Sequence, residues 1–177
     1  MPKFAANLTM LWPELPVLER FGAAARAGFR RVEILFVHDL DVAAVEKALH
    51  ELRLELVLFD PRPGDWSKGE RGLLSVPGRE GEFLETVREA VANAQRLGTR
   101  KVNALAGIPG KDVPREEARR TAIENLRAAA PLVENAGFQL LVEAINTVDM
   151  PGYFAATADT PAPAVPVCPV PWKRGLS

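Results

Sequence analysis

Apolar stretches of strand length alternate with amphipathic stretches of helical length as far as residue 146. The pattern predicts strands over about 3–8, 31–37, 54–59, 101–106 and 139–145, and helices over about 14–27, 41–52, 82–97 and 115–136. Punctuation between them repeats. "AGFRRVEIL", "LGTRKVNAL" and "AGFQLLVEA" each place a glycine (Gly28, Gly98, Gly137) after a helical pattern and a few residues before an apolar strand. Such a glycine ends a helix in the left-handed conformation at little steric cost. Strict β-α alternation implies parallel strands joined by crossover helices.

The last helix carries explicit end signals. In "KDVPREEARRTAIENLRAAAPLVENAG", Asp112 is a candidate cap, Pro114 suits the first turn, and Glu116 and Glu117 favour the positive helix end. Glu116 and Arg120 are spaced as an i,i+4 pair. Pro131 falls inside the pattern and predicts a kink or a split.

Two regions break the rhythm. "DPRPGDWSKGERGLLSVPGREG", residues 60–81, is far longer than the usual βα connection of about 2 to 6 residues, which marks it as a lid or interface element. The second is the C-terminal stretch, where six of the chain's 15 prolines fall between Pro151 and Pro171. Prolines at that spacing forbid helix and central strand, so the expected division is a folded domain over 1–154 and a disordered Pro/Ala-rich tail over 155–177.

Composition narrows the function classes. The 177 residues suffice for one sizeable core, and 22 basic against 23 acidic residues leave no basic footprint for nucleic acid or an anionic membrane. Small-molecule or protein partners are expected. The single cysteine, Cys168, lies in the Pro-rich tail and excludes an internal disulfide framework and a Cys-based zinc site. With no signal-peptide pattern in "MPKFAANLTMLW" and no apolar run near the roughly 20 residues of a membrane span, a cytoplasmic location is expected.

In a parallel β/α fold, ligands bind at the C-terminal ends of the strands. Glu143 stands there in an apolar run, where an unpaired carboxylate costs several kcal/mol or takes up a proton. It is read as an acid/base group or metal ligand, against the alternative of a structural ion pair. Glu33 in "RVEILF" is nearer a strand's middle and suits structural pairing as well as binding. Asn7 and Asn103, near strand ends, could hydrogen-bond a polyol or carboxylate, or satisfy a loop backbone. Trp12 reads as packing more than as a pocket wall, His38 beside Asp39 as a loop cap, and His50 as a solvated helix residue. The chain contains no P-loop, no G-x-G-x-x-G and no nucleophile elbow.

"FAANLTMLWPELP", "PGDWSKGERGLLSVPGRE", "VNALAG" and "VEAINTVDMPGYF" together resemble the hydroxypyruvate isomerase family, whose members have the xylose-isomerase-like (β/α)8 barrel. The loop motif is the most specific part, and the related 2-oxo-tetronate isomerases look much the same over these segments. The resemblance runs from about residue 3 to Phe154 and implies α/β architecture as a partial TIM barrel of about five β/α units, C-terminally truncated. It implies an aldose–ketose isomerase interconverting hydroxypyruvate and tartronate semialdehyde through an enediol, with Glu143 as acid/base. Asn7, Glu33 and Asn103 become candidate substrate-binding residues. The resemblance also implies a divalent metal, Mg2+ or Mn2+, with Glu143 as one ligand and the others on strands six to eight, which have no counterpart here. Impaired turnover is therefore expected, with exposed sheet edges that invite self-association. The alternatives are a 2-oxo-tetronate isomerase and a non-catalytic fragment. The tail from about Ala155 reads like GC-rich sequence in another frame rather than an evolved element.

Overall fold

A computed structural model of the chain describes residues 3–156. Most of the Pro-rich tail, Cys168 included, lies outside the described residues, and with it the expectation of disorder. The elements are β1 (Ala6–Asn7), α1 (Val17–Arg26), β2 (Arg31–Phe36), α2 (Val42–Leu52), β3 (Glu55–Asp60), α3 (Glu80–Leu97), β4 (Lys101–Asn103), α4 (Arg115–Asn135) and β5 (Gln139–Leu141), with a 3-10 turn at Trp66–Lys68. All strands pair in parallel, in the order β1-β2-β3-β4-β5. A doubly wound sheet reverses direction at a switch point, whereas a barrel wall adds each strand beside the last. The order is that of a barrel wall, as the alternation and the resemblance implied.

Strand parity explains the two faces. Val32, Ile34, Leu56, Val102 and Leu140 are buried in one core with Phe21, Val45, Val87 and Val133 of the four helices. Each such side chain contributes about 1.5–3 kcal/mol of burial. The opposite face carries the register-matched positions Asn7, Glu33 and Leu58, with Asn103 and Leu141. A register irregularity after Glu33 brings Phe36 opposite Asp60, so both lie at the C-terminal end of that same face.

Several expected boundaries move. β1, β4 and β5 stop at Asn7, Asn103 and Leu141, short of the predicted 8, 106 and 145. The chain leaves the ladder there to build loops: the Thr9 hydroxyl, not a backbone carbonyl, accepts the Leu35 N–H at 2.9 Å. α1 begins only at Val17, after Pro13 and Pro16, and α3 begins earlier, at Glu80. Asp112 does not cap α4: Pro114 is the capping residue, and its carbonyl accepts from Glu117 (2.9 Å) and Ala118 (3.1 Å), leaving Asp112 too far upstream. Glu116 pairs with Arg119 at 3.4 Å rather than with Arg120. Nor does Pro131 split the helix, which runs unbroken from Arg115 to Asn135. Pro131 and Arg127 both lie on its exposed face, where water can serve the carbonyl that proline leaves without a donor.

The long connection after β3 is ordered by its own polar residues. Asp65 accepts from the amides of Ser67 (3.1 Å) and Lys68 (3.3 Å), and Glu70 accepts the Asp65 amide at 2.6 Å while pairing with Arg79 at 2.7 Å. It docks on the chain beyond β4 through two glycines. Gly72 (φ +120°) bridges Ala106, and a Cβ there would lie 2.3 Å from the Leu105 carbonyl oxygen; a Cβ on Gly107 would lie 2.3 Å from the Gly72 oxygen. Only glycine lets the two backbones approach so closely. The buried Asn125 amide of α4 donates to the Leu74 carbonyl (2.9 Å) and pins the loop from below. No helix among the described residues is long and apolar enough to cross a membrane.

Candidate active site

Four strands deliver polar side chains to the C-terminal end of the inner face. Asn7 donates from Nδ2 to Glu33 Oε1 at 2.9 Å and accepts the Thr9 amide on Oδ1 at 3.0 Å. Asn7 thus serves its own loop backbone and pairs with Glu33 across the β1–β2 register. Beside them Asn103, 2 % exposed, donates from Nδ2 to Asp60 Oδ1 at 3.1 Å and to Glu143 Oε2 at 3.3 Å. One amide therefore bridges two carboxyl groups from neighbouring elements.

Electrostatics make this row unusual. Burial pushes the Asp60 carboxyl up to about 7, against the Asn103 hydrogen bond and with help from the charges of Glu143 and Glu33. Asn103 Oδ1 is buried and has no donor among the described residues. Since an unmet buried acceptor costs about 1–3 kcal/mol, the row carries unused hydrogen-bonding capacity. Asp60 and His38 also line a cavity of about 10 Å3, space for about one water. Burial lowers the His38 pKa, and its Nδ1 is a second buried atom without a partner among the described residues. His38 packs on the Phe36 ring and is not a backbone cap.

Glu143 departs from its expected setting. It lies two residues past the end of β5, and it is exposed rather than buried in an apolar strand. The strand's apolar run continues beyond Leu141 without a further ladder, leaving Leu141 and Val142 38 % and 37 % exposed. Asn103 is its hydrogen-bond partner, and no ion pair to Glu143 forms among the described residues. Downstream, the chain folds back over β4. The Ile145 amide donates to the Ala155 carbonyl (3.0 Å), the Phe154 amide to Gly107 (2.9 Å), and the Ala106 amide to the Tyr153 hydroxyl oxygen (2.8 Å). Burial pushes that phenol up to about 12, with the Asp60 and Glu143 charges adding to the shift.

Among the described residues no three His, Cys, Asp or Glu side chains are grouped to hold a metal ion. The orphaned oxygen of Asn103 belongs to an amide whose nitrogen is already committed to two carboxyls, and one amide oxygen beside Glu143 is an incomplete ligand set.

Above the row, the Trp66 ring sits edge-on to Phe36 at 5.2 Å, and the Arg71 guanidinium stacks over Trp66 at 3.9 Å. Trp12 packs on Phe29, 6.5 Å between ring centroids, as an aromatic beyond a strand commonly does. His50 is exposed on the last turn of α2. Sequence reasoning missed Asp60 and Tyr153. Asp60 ends β3 and meets the same end-of-strand criterion that selected Asn7 and Asn103; Tyr153 reaches the site only through tertiary folding.

Comparison with known proteins gives concordant matches. Residues 21–168 match the model of the xylose isomerase-like TIM barrel family. A 2-oxo-tetronate isomerase of Cupriavidus necator is 43 % identical over 90 % of this chain and 61 % of its own length. A hydroxypyruvate isomerase of Escherichia coli is 41 % identical over 86 % of this chain and 59 % of its own. The crystal structure of an AP endonuclease, family 2, from Brucella melitensis superposes with a TM-score of 0.84 at 45 % identity, covering 87 % of this chain and 59 % of that one. The chain thus spans about three-fifths of the length of these relatives.

Proposed function

This chain belongs to the xylose isomerase-like TIM barrel family, and we propose that it carries an aldose–ketose isomerase site for hydroxypyruvate in which Glu143 is the acid/base group. The carboxylate takes a proton from C3, next to the C2 carbonyl. An enediol forms, a proton returns to C2, and the hydroxyl proton on O3 is lost as O2 gains one, leaving tartronate semialdehyde (2-hydroxy-3-oxopropanoate). The carrying observation is the pairing of an exposed Glu143 with the buried Asn103 amide, which leaves one carboxylate edge open to a ligand while its other oxygen is held. Asn103 is the supporting binding group, and Asn7 with Glu33 forms the flank of the same site. Mg2+ or Mn2+ would take Glu143 as a ligand, completed by groups other than the described residues.

The experiment is hydrogen exchange in D2O. A single positioned base suffices for the first half of the reaction, so the chain is expected to deuterate hydroxypyruvate at C3 above the buffer rate even where net isomerisation is slow. Binding without exchange would instead make it a non-catalytic binder. The Cupriavidus necator relative favours a second substrate reading, 2-oxo-tetronate, which faster exchange of the four-carbon acid would select.

β1 and β5 have no outer partner strand among the described residues, and Leu141 and Val142 are exposed beside β5. This supports self-association through that edge. Sedimentation is expected to show species heavier than the 19.3 kDa chain that grow with concentration; a monomer at every concentration would remove this proposal.

A further inference from the structure

The inner-face row is acidic: Glu33, Asp60 and Glu143 bring three carboxyl groups, and Asn7 and Asn103 bring only neutral amides. An oxo acid entering such a site needs a positive group for its own carboxylate, and the described residues bring together no complete metal-ligand set that would supply one. The geometry points to Arg71 as that anchor, an assignment that rests on the oxo-acid reading above.

The cations around the loop differ in one respect. Arg62 pairs with Glu89, Lys68 with Asp65 at 2.9 Å, and Arg79 with both Glu70 and Glu82 at 2.7 Å. Arg71 pairs with no carboxylate among the described residues. Its Nη1 donates to the carbonyls of Trp66 (3.0 Å) and Glu70 (2.8 Å), and the plane lies on the Trp66 ring. Those contacts use two of the five guanidinium donors and hold the group still. Nε and Nη2, the edge that a carboxylate takes in bidentate fashion, find no acceptor among the described residues.

Placement brings Arg71 to the right end of the sheet. Trp66, on which Arg71 stacks, touches Phe36, and Phe36 stands opposite Asp60 in the β2–β3 register. Gly72, the next residue, bridges Ala106, three positions beyond Asn103. The guanidinium is thus bracketed by contacts to the ends of β2 and β4, the mouth where Asp60 and Asn103 emerge. Rigid support matters because an anchor already ordered loses little side-chain entropy when the ligand arrives.

The test compares a charged ligand with a neutral one by calorimetry: hydroxypyruvate and dihydroxyacetone, which carries a hydroxymethyl group in place of the carboxylate. Arg71→Met is expected to weaken hydroxypyruvate binding by roughly 10- to 100-fold, the worth of a charge-assisted pair, and to leave dihydroxyacetone unchanged. Arg71→Lys should recover part of the loss, since a point charge replaces the fork. Equal weakening of both ligands would show loop collapse and overturn the assignment, as would unchanged hydroxypyruvate binding. If C3 exchange persists in Arg71→Met with an unaltered KM, the anchor falls and the isomerase reading stands. If the wild-type chain binds hydroxypyruvate through Arg71 without exchanging C3 hydrogen, the anchor stands and the isomerase reading falls; no binding at all overturns both.

Discussion

Glu143→Gln is expected to slow C3 hydrogen exchange from hydroxypyruvate by about 10²- to 10⁴-fold, the usual worth of a positioned general base. The substitution isolates basicity from position. Glutamine has the same length and keeps an acceptor oxygen for the Asn103 Nδ2 donor, which lies 3.3 Å from Glu143 Oε2. Binding of hydroxypyruvate should therefore stay within a few-fold of the wild type while the rate falls. Glu143 is exposed and lies beyond the last residue of β5, so no core packing is disturbed. An exchange rate unchanged by the substitution would move the base elsewhere in the row. Asp60 would be the next candidate, since it shares the Asn103 amide.

The architecture was legible because it rests on local signals. Gly28, Gly98 and Gly137 all take positive φ just past their helices, as three matching sequence contexts implied. The five strands and four helices occur in the expected order. Strand ends were less legible, because an apolar run does not reveal where its ladder partners run out. The predicted strand over 139–145 stops at Leu141, and the burial inferred for Glu143 from its apolar neighbours fails with it. Asp60 was read as the first residue of a loop rather than the last of a strand, which hid a buried carboxyl. Tyr153 and Arg71 acquire their roles through contacts 47 and 5 residues away in the chain, to Ala106 and Trp66. Periodicity carries no information about a contact made when a loop folds back.

Asp60→Asn is expected to stabilise the chain at neutral pH and to do little near pH 4. Burial raises the Asp60 pKa from 3.8 to about 7, so between those values the folded state holds a proton that the unfolded state has lost. Stability then falls as pH rises, by about 1.4 kcal/mol per unit, and the loss reaches about 4 kcal/mol once pH passes 7. Below about pH 3.8 both states are protonated and the carboxyl costs nothing extra. An amide at position 60 does not titrate, which removes the whole slope. It also keeps an oxygen for the Asn103 donor. Urea unfolding at pH 4, 6 and 8 should show the variant's advantage growing across that window; a constant difference would mean that Asp60 titrates normally. A carboxyl that weakens the fold at working pH is kept at the end of β3, one amide away from Glu143. That is the pattern expected where a site's chemistry, and not the stability of the sheet, chose the residue.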